Sequence, residues 1–168
     1  MQPATALVAM NSRRASIDKA ELASFLSTCG PETKVYLGCD SERYKSAGKY
    51  YADYVLVVVV HIDGCKGARV FGEVQKEEDH DRQLARPFNR MMGEVYRVAQ
   101  LYQDLREVLH DFEVSIHIDI NPNENHGSNV AYQAAVGYIK GTCNVVPFAK
   151  PDAFAASYAA DRFKEVAA

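Results

Sequence analysis

Two carboxylates follow short apolar runs in the sequence, at positions where a buried β-strand would end. Asp40 comes directly after the run at residues 35–39, and Asp119 comes directly after the run at residues 114–118. A carboxylate at the end of a hydrophobic strand is poorly solvated, so its charge needs a compensating partner. A divalent cation is such a partner, because it prefers oxygen ligands and can activate water for attack on a phosphate.

Two further acids lie on predicted helices. The helical spacing of apolar residues predicts a long helix over residues 87–110, and Glu94 lies at the border between its buried and wet faces. From this border a carboxylate could reach over the end of the sheet toward Asp40. Asp161 lies in an apolar neighbourhood on the last predicted helix, and adjacent residues on a helix do not face each other, so pairing with Arg162 is disfavoured. Taken singly, each acid also fits an ordinary solvated helix position.

The order of elements predicts an α/β fold. Strands are predicted at residues 34–40, 50–62, 68–76, 113–120 and 143–148, and helices at residues 16–27, 87–110, 128–140 and 151–165. Strands two and three are expected to form a hairpin, and residues 41–49 to form a polar loop. Helical crossovers then give a mixed five-stranded sheet, in the order 3-2-1-4-5 with strand 2 antiparallel and helices on both faces. In this order strands one and four are neighbours, which brings Asp40 and Asp119 to the edge where ligands bind in α/β sheets.

Length and charge limit the classes of function. The chain has 168 residues, of which 48% are hydrophobic and 24% charged, which suits one globular domain. We expect a single domain over residues 15–168, preceded by a flexible tail over residues 1–14. The net charge of −3 and the pI of 5.9 argue against a strong nonspecific nucleic-acid binder, because phosphate affinity comes from Lys and Arg.

Cysteine spacing and hydropathy indicate the compartment. The four cysteines have neither zinc-site nor redox-motif spacing. No apolar stretch is long enough to cross a bilayer, and the basic pair at residues 13–14 follows an apolar run, the reverse of the order in a secretory signal. These observations predict a cytoplasmic protein with no membrane partner.

Three segments resemble the YkuK-like family of ribonuclease H-like proteins. They are GCDS at residues 38–41, HIDIN at residues 117–121 and KPDAFAASYAAD at residues 150–161. The last segment is the most specific, because it fixes several residue types over a dozen positions. The likeness covers residues 35–163, and the predicted order of elements is that of the ribonuclease H fold.

The resemblance implies a fold and a site more firmly than a biological role. By similarity to ribonuclease H enzymes, two Mg²⁺ or Mn²⁺ ions would be bound by one acid from each of four elements. These acids would be Asp40, Glu94, Asp119 and Asp161. Where the family often has a basic residue before Ser128, this chain has Gly127, so a phosphate contact at that position is not expected. The chain also has no Trp and no basic protrusion that would bind an RNA–DNA hybrid.

Several other side chains are candidates for supporting roles. Ser41 could hydrogen-bond the first-strand carboxylate or a bound water, and His117 shares a strand face with the fourth-strand carboxylate; both also fit ordinary structural positions. His126 follows the fourth strand, where a nuclease could place a proton shuttle. Lys150 and Arg90 could contact a phosphate. The remaining candidates for substrate binding come from the family motifs, and they are Asn121, Ser128 and Ser157.

An alternative set of ligands is also compatible with the sequence. The segment DSE at residues 40–42 matches the Asp-x-Glu that opens many 3′–5′ exonucleases of related fold, which would make Glu42 a metal ligand in place of Glu94. Those exonucleases carry His or Tyr four residues before the last Asp, where this chain has Ser157, with Tyr158 one position late. We therefore rank Glu94 above Glu42.

The sequence as a whole predicts a metal-dependent nuclease acting on RNA, an RNA–DNA hybrid or DNA. In a two-metal mechanism one ion activates the attacking water and the other stabilises the leaving 3′-oxygen. The alternative is a non-catalytic module of the same fold that binds a protein or nucleic acid, which the low pI and the missing basic protrusion favour. The four acids favour the enzyme, since a binding module gains nothing from clustered repelling charge. The type of nucleic acid, endo- or exonucleolytic cleavage, and assembly as a homo-oligomer or with a protein partner stay open.

Overall fold

The computed structural model describes residues 16–167, so the predicted flexible tail of residues 1–14 lies outside the described part of the chain. Four strands and four α-helices are assigned there. The strands are β1 (Lys34–Ser46), β2 (Lys49–His61), β3 (Ala68–Glu78) and β4 (Glu113–Ile118), and the helices are α1 (Lys19–Leu26), α2 (Phe88–Leu109), α3 (Tyr132–Cys143) and α4 (Ala160–Ala167). A π-helical turn, Ala155–Ala159, leads directly into α4. None of the described helices is long and apolar enough to cross a membrane.

The sheet is mixed, as predicted for an α/β fold. Its strand order is β3-β2-β1-β4, with β2 antiparallel to both of its neighbours and β4 parallel to β1. The parallel ladder runs from the pair Lys34–Glu113 to the pair Cys39–Ile118. The prediction that strands one and four lie side by side is therefore confirmed.

The predicted fifth strand over residues 143–148 is wrong, and the sheet has four strands in the described chain. Helix α3 continues through Cys143, and Asn144 ends it in the left-handed conformation, with φ 56° and ψ 34°. After the helix, Phe148 alone forms an isolated parallel bridge to β4. Pro147 has no backbone N–H to donate, which limits how far a ladder could extend at this edge.

The predicted polar loop over residues 41–49 is also wrong. Strand β1 continues past Asp40 to Ser46 and stays paired with β2, from which it is separated by only two residues. These are Ala47 (φ 49°) and Gly48 (φ 79°), both in the left-handed region that a tight two-residue hairpin requires. Asp40 therefore marks the end of the parallel ladder with β4, and not the end of its own strand.

Helices cover both faces of the sheet, as predicted. One core lies between the sheet and helices α1 to α3, and a smaller core lies between the opposite face and the segment that contains the π-helical turn and α4. Alternate residues of β2 face opposite sides of the sheet, so its apolar run contributes side chains to both cores. On the smaller side the buried strand residues are Val55, Val57, Val59 and Val70.

A carboxylate from outside the helix fixes the start of α2. Pro87 occupies the N-cap position and has no side chain that could accept a hydrogen bond. The buried Asp81 does so instead, because its two oxygens accept the backbone N–H groups of Asn89 (3.0 Å) and Arg90 (2.7 Å). The negative charge also lies favourably at the positive end of the helix dipole. The helix that carries Glu94 is thus tied to the segment after β3.

We expect Gly38→Ala to destabilise the fold, because β1 and the π-helical turn touch there. A Cβ on Gly38 would lie 2.5 Å from the carbonyl carbon of Ala155 and 2.6 Å from the nitrogen of Ala156, which are both backbone atoms. Overpacking of this kind costs roughly 1–3 kcal/mol of the free energy of unfolding, measured by urea denaturation.

Gly137→Ala is the matched control, because no atom lies within 4 Å of a Cβ at that position of α3. Its free energy of unfolding should rise by about 0.5–1 kcal/mol through the better helix propensity of Ala. An unchanged denaturation midpoint for Gly38→Ala would contradict the close packing of the last segment on β1.

Candidate functional site

The site lies where the parallel ladder of β1 and β4 ends. Asp40 and Asp119 each follow the last paired residues, Cys39 and Ile118. Both carboxylates belong to the sheet face that the π-helical turn and α4 cover, because alternate residues of a strand share a face. Their side chains are only 16% and 14% exposed, respectively. The predicted juxtaposition of these two acids is thus present in the structure.

Burial makes the charge of Asp40 costly. Desolvation, followed by the negative charge of Asp119, raises the pKa of Asp40 from 3.8 to about 6. Two contacts oppose this shift: Lys164 Nζ lies 3.6 Å from Asp40 Oδ2, and the backbone N–H of Ser41 donates to Oδ1 at 2.8 Å. Near neutral pH the carboxylate is ionised at a cost to folding.

Glu94 lies deeper than its predicted border position. The residue is 2% exposed, and burial, followed by the charge of Asp40, raises its pKa well above the ordinary value. Its Oε1 accepts the hydroxyl of Ser41, whereas Oε2 is buried with no hydrogen-bond partner in the structure. Buried polar atoms without a partner are rare in folded proteins, so this oxygen requires an explanation.

An arginine and a serine hold Glu94 in place. Arg90 Nη1 donates to the backbone oxygen of Ser41 at 2.9 Å and to its Oγ at 2.8 Å, and the Ser41 hydroxyl donates to Glu94. Arg90 also lies 3.9 Å from Glu94 Oε1, one helical turn away on α2. The side chain of Ser41 therefore hydrogen-bonds Glu94, whereas the backbone N–H of Ser41 donates to Asp40.

Lys164 joins three acids on one side of the site. Its Nζ lies 3.6 Å from an oxygen of each of Asp40, Glu42 and Asp161. Asp161 is 63% exposed, on the first turn of α4, and its charge contributes to the raised pKa of Asp40. Sequence reasoning missed Lys164, although its spacing of three residues from Asp161 on a helix was a signal for an ion pair.

The rival ligands Glu42 and Glu94 lie in different surroundings. Glu42 is 71% exposed and shares the strand face of Asp40, so its contact with Lys164 is a surface ion pair. Glu94 reaches the site from α2, on the other side of β1, and is buried. Burial and the unpartnered oxygen favour Glu94 as the functional acid.

Lys150 contacts the other strand carboxylate. Its Nζ lies 2.9 Å from Asp119 Oδ1, so this lysine, which the sequence offered as a candidate for a phosphate contact, forms an ion pair within the protein. Each of the two strand acids thus has an ammonium group beside it. The two lysines supply the positive charge that offsets the repulsion between Asp40 and Asp119.

His117 faces the same side of the sheet as Asp119 but has a structural contact. Its Nδ1 accepts the backbone N–H of Ala155 at 3.1 Å, and its ring is surrounded by those of Tyr36 and Phe154. Burial lowers the pKa of His117 to about 4, so the ring is neutral at physiological pH. It holds the π-helical turn on β4 as a neutral acceptor.

The other candidates lie around the loop after β4 or in the π-helical turn. Ser128 Oγ accepts the backbone N–H of Asn121 at 3.0 Å, which fixes the loop. His126 is exposed and lines a cleft of about 640 Å³ together with Arg86. Ser157 is half-buried in the π-helical turn. None of these described contacts reaches the four acids.

The acids provide the type of ligand atom that a divalent cation prefers, but their side chains are not arranged around a cation in this structure. All donors are carboxylate oxygens, which Mg²⁺ and Mn²⁺ prefer, and the unpartnered Oε2 of Glu94 has room in its coordination for a further contact. Over residues 16–167, however, no group of three or more His, Cys, Asp or Glu side chains is positioned to hold a metal ion. Side-chain adjustment, including release of the lysines, would have to accompany metal binding.

Comparison with known proteins agrees with this architecture. A family model described as Ribonuclease H-like matches residues 20–165. The chain belongs to the ribonuclease H-like family. No curated protein and no solved structure gave a match. Membership of the ribonuclease H-like family confirms the resemblance seen in the sequence and explains the mixed sheet, but fold alone does not specify activity.

We expect Asp40→Asn to stabilise this ribonuclease H-like protein in EDTA at pH 7. The pKa of Asp40 is raised to about 6, so the ionised form opposes folding above pH 4 and does so fully above pH 6. Removing the charge should raise the free energy of unfolding by roughly 1–3 kcal/mol at pH 7, and the gain should shrink as the pH falls from 6 to 4. Urea denaturation of the wild type and the variant across this pH range measures the difference in their free energies of unfolding.

Glu124→Gln serves as the control, because this acid lies in an exposed loop. Its stability should follow that of the wild type to within about 0.5 kcal/mol at every pH. A loss of stability in Asp40→Asn at pH 7 would show that the carboxylate is favourable in the fold, contrary to the electrostatics described above.

Proposed function

We propose that this ribonuclease H-like protein is a metal-dependent nuclease that hydrolyses phosphodiester bonds in RNA, RNA–DNA hybrids or DNA. The observation that carries the proposal is the buried Glu94, whose Oε2 has no partner, beside Asp40 and Asp119. Burial raises the pKa of both Asp40 and Glu94, so the cluster opposes folding. Acids with strongly shifted pKa values in such a cluster are candidates for a functional site.

The proposed cofactors are two Mg²⁺ or Mn²⁺ ions. Their proposed ligands are Asp40, Glu94, Asp119 and Asp161. Bound ions would neutralise charge on the phosphate and favour a nucleophilic water near neutral pH. The chain's own contribution is to gather oxygen donors at the end of a rigid parallel ladder.

The residues around the acids position them and the substrate. Arg90 and Ser41 fix Oε1 of Glu94, whereas Oε2 has no hydrogen-bond partner. Lys150 and Lys164 bring positive charge to the same edge of the sheet. In the proposed reaction they contact phosphates of the bound strand, to which ammonium groups form strong charge-assisted hydrogen bonds.

A non-catalytic module that binds a nucleic acid or a protein is the second candidate. Two observations favour it: each strand acid already lies beside a lysine, and no described cluster of three potential ligands is positioned for a metal. In such a module the lysines would be permanent structural partners of Asp40 and Asp119. The two candidates differ in whether a metal ion stabilises the folded protein.

We expect Mn²⁺ to raise the melting temperature of the wild-type chain. A ligand that binds only the folded state at about 100 times its Kd adds about 2.7 kcal/mol, which corresponds to roughly 5–10 °C for a chain of this size. Asp119→Asn should lose the rise, whereas Glu124→Gln should keep it. No shift in the wild type at millimolar Mn²⁺ would favour the non-catalytic module.

We expect the wild-type chain with Mg²⁺ or Mn²⁺ to cleave at least one of four labelled substrates: single-stranded RNA, an RNA–DNA hybrid, single-stranded DNA and duplex DNA. Asp40→Asn and Asp119→Asn should each lower the rate by more than about 100-fold, since both would remove a charge that holds the metal. Circular dichroism checks that both variants fold. Wild-type-like cleavage by either variant would refute the assignment of the site.

Glu94→Gln and Glu42→Gln, compared in the same assay, separate the two sets of ligands. Loss of cleavage only in Glu94→Gln is the result expected from its burial beside Asp40. Loss only in Glu42→Gln would make the exposed strand acid the ligand instead.

A further inference from the structure

We propose that the far end of the β1–β2 hairpin, with one lysine of β3, binds the bases and phosphates of single-stranded nucleic acid. We call this surface the tyrosine–lysine platform, and it consists of Tyr44, Tyr51 and Lys76, whose side chains lie on the same face of the sheet. The inference rests on the proposed nuclease function, which it deepens by naming a substrate class. It follows from the hairpin that replaces the expected loop.

The composition of the hairpin differs from that of the chain. Residues 43–52, RYKSAGKYYA, contain three basic residues, three tyrosines and no acid, in a chain with a net charge of −3. Basic residues interleaved with aromatic ones are typical of surfaces that bind single strands, where cations contact phosphates and rings stack on bases. A positive segment in an acidic protein thus marks one place where a polyanion would bind.

Two tyrosines form a paired ring surface. Tyr44 and Tyr51 are direct partners across the ladder of β1 and β2, and their ring centroids lie 6.0 Å apart with an interplanar angle of 27°. The hydroxyl of Tyr44 donates to Asp53 Oδ1 at 3.2 Å, which fixes the orientation of its ring. Both residues are half-buried, so part of each ring is open to solvent. Such a surface can stack an unpaired base without regard to its sequence.

Among residues 16–167, the lysine of the platform has no carboxylate at ion-pair distance. Lys76 Nζ lies 4.7 Å from the ring centroid of Tyr51 and 5.1 Å from that of Tyr44. Its ammonium group rests on these aromatic faces and can turn to a phosphate.

Two other basic residues of the hairpin are already neutralised. Lys49 pairs with Glu78 at 3.1 Å, and Arg43 pairs with Asp79 at 2.7 Å. Lys45 lies with Tyr50 on the opposite face of the hairpin, so the positive charge that remains beside Tyr44 and Tyr51 is that of Lys76.

The platform and the strand acids lie on one continuous face of the sheet. Tyr44 is four residues beyond Asp40, so the two side chains point to the same side, about 13 Å apart along the strand. Helix α4 covers this face as far as Phe163, whose ring lies against Gly72 of β3. Beyond it, Val74 is 42% exposed, so the face is open. A strand with one phosphate at Asp40 could run along β1 and place a later base on the tyrosines.

Base stacking on a protein ring requires a base whose face is free, which a duplex hides. The platform therefore favours single-stranded RNA or DNA over a duplex. The test measures binding separately from cleavage. The full wild-type chain in EDTA is titrated into fluorescently labelled oligo(U) and oligo(dT) of about twelve nucleotides, and into a duplex of the same length, with anisotropy as the readout.

We expect both single strands to bind at least about tenfold more tightly than the duplex. The double variant Tyr44→Leu/Tyr51→Leu, which keeps apolar bulk on the strand, should lose about tenfold or more of this affinity. Tyr138→Leu is the matched control, because Tyr138 is also an exposed member of a tyrosine pair, with Tyr96 at 4.8 Å, but lies on α3. Its affinity should equal that of the wild type.

The lysine is tested by the dependence of affinity on salt. Lys76→Gln should reduce the slope of log affinity against log salt concentration by about 0.7, since each phosphate contact on a single strand contributes about that much. Lys34→Gln, at the opposite end of β1 and paired with Glu113, should leave the slope unchanged.

The outcomes separate this inference from the proposed nuclease activity. Equal affinity of the wild type and the tyrosine variant, equal affinity for single strand and duplex, or no binding at all would each overturn the platform. Cleavage with Mn²⁺ combined with any of these results would leave the nuclease standing. Tyrosine-dependent binding without cleavage of any substrate would retain the platform and reject the nuclease.

Discussion

The electrostatic repulsion between Asp40 and Asp119 is the constraint around which this structure is arranged. Parallel pairing of β1 and β4 brings both carboxylates to one edge, where burial and their mutual repulsion raise the pKa of Asp40 to about 6. Positive charge has to reach them, and it comes from Lys150 and Lys164 in the last part of the chain. The final segment must therefore lie against the same face of the sheet.

The contact between that segment and the sheet depends on small residues and on one neutral ring. Gly38 leaves space for the backbone of Ala155, whose N–H is accepted by His117. This close approach sets the start of the helix that brings Lys164 over β1. On the other side of the sheet, Arg90 and Ser41 hold Glu94 through hydrogen bonds, so the acids are supported from both faces. The site and the fold thus rely on the same contacts.

Much of this arrangement could be predicted from the sequence, because it follows from local pattern. Apolar runs before Asp40 and Asp119 predicted neighbouring strand ends, and helical spacing placed Glu94 close to the sheet. The continuation of β1 was not predictable in this way, since its polar and aromatic residues resemble a loop and the turn at residues 47–48 lacks the usual Asn-Gly signal. The contact of Ser41 with Glu94, 53 residues away, was also not predictable, because contacts between distant segments leave no periodic pattern in the local sequence. The missing fifth strand reflects the competition between helix and strand at Cys143, which propensity alone does not decide.

The neutral state of His117 has a consequence for how the site responds to charge. Its pKa of about 4 lies below that of Asp40, about 6, so between these values Asp40 changes protonation while the imidazole does not. The hydrogen bond to Ala155 keeps the same donor and acceptor throughout this range. Protonation of Asp40 therefore leaves unchanged the hydrogen bond that holds the start of the π-helical turn on the sheet.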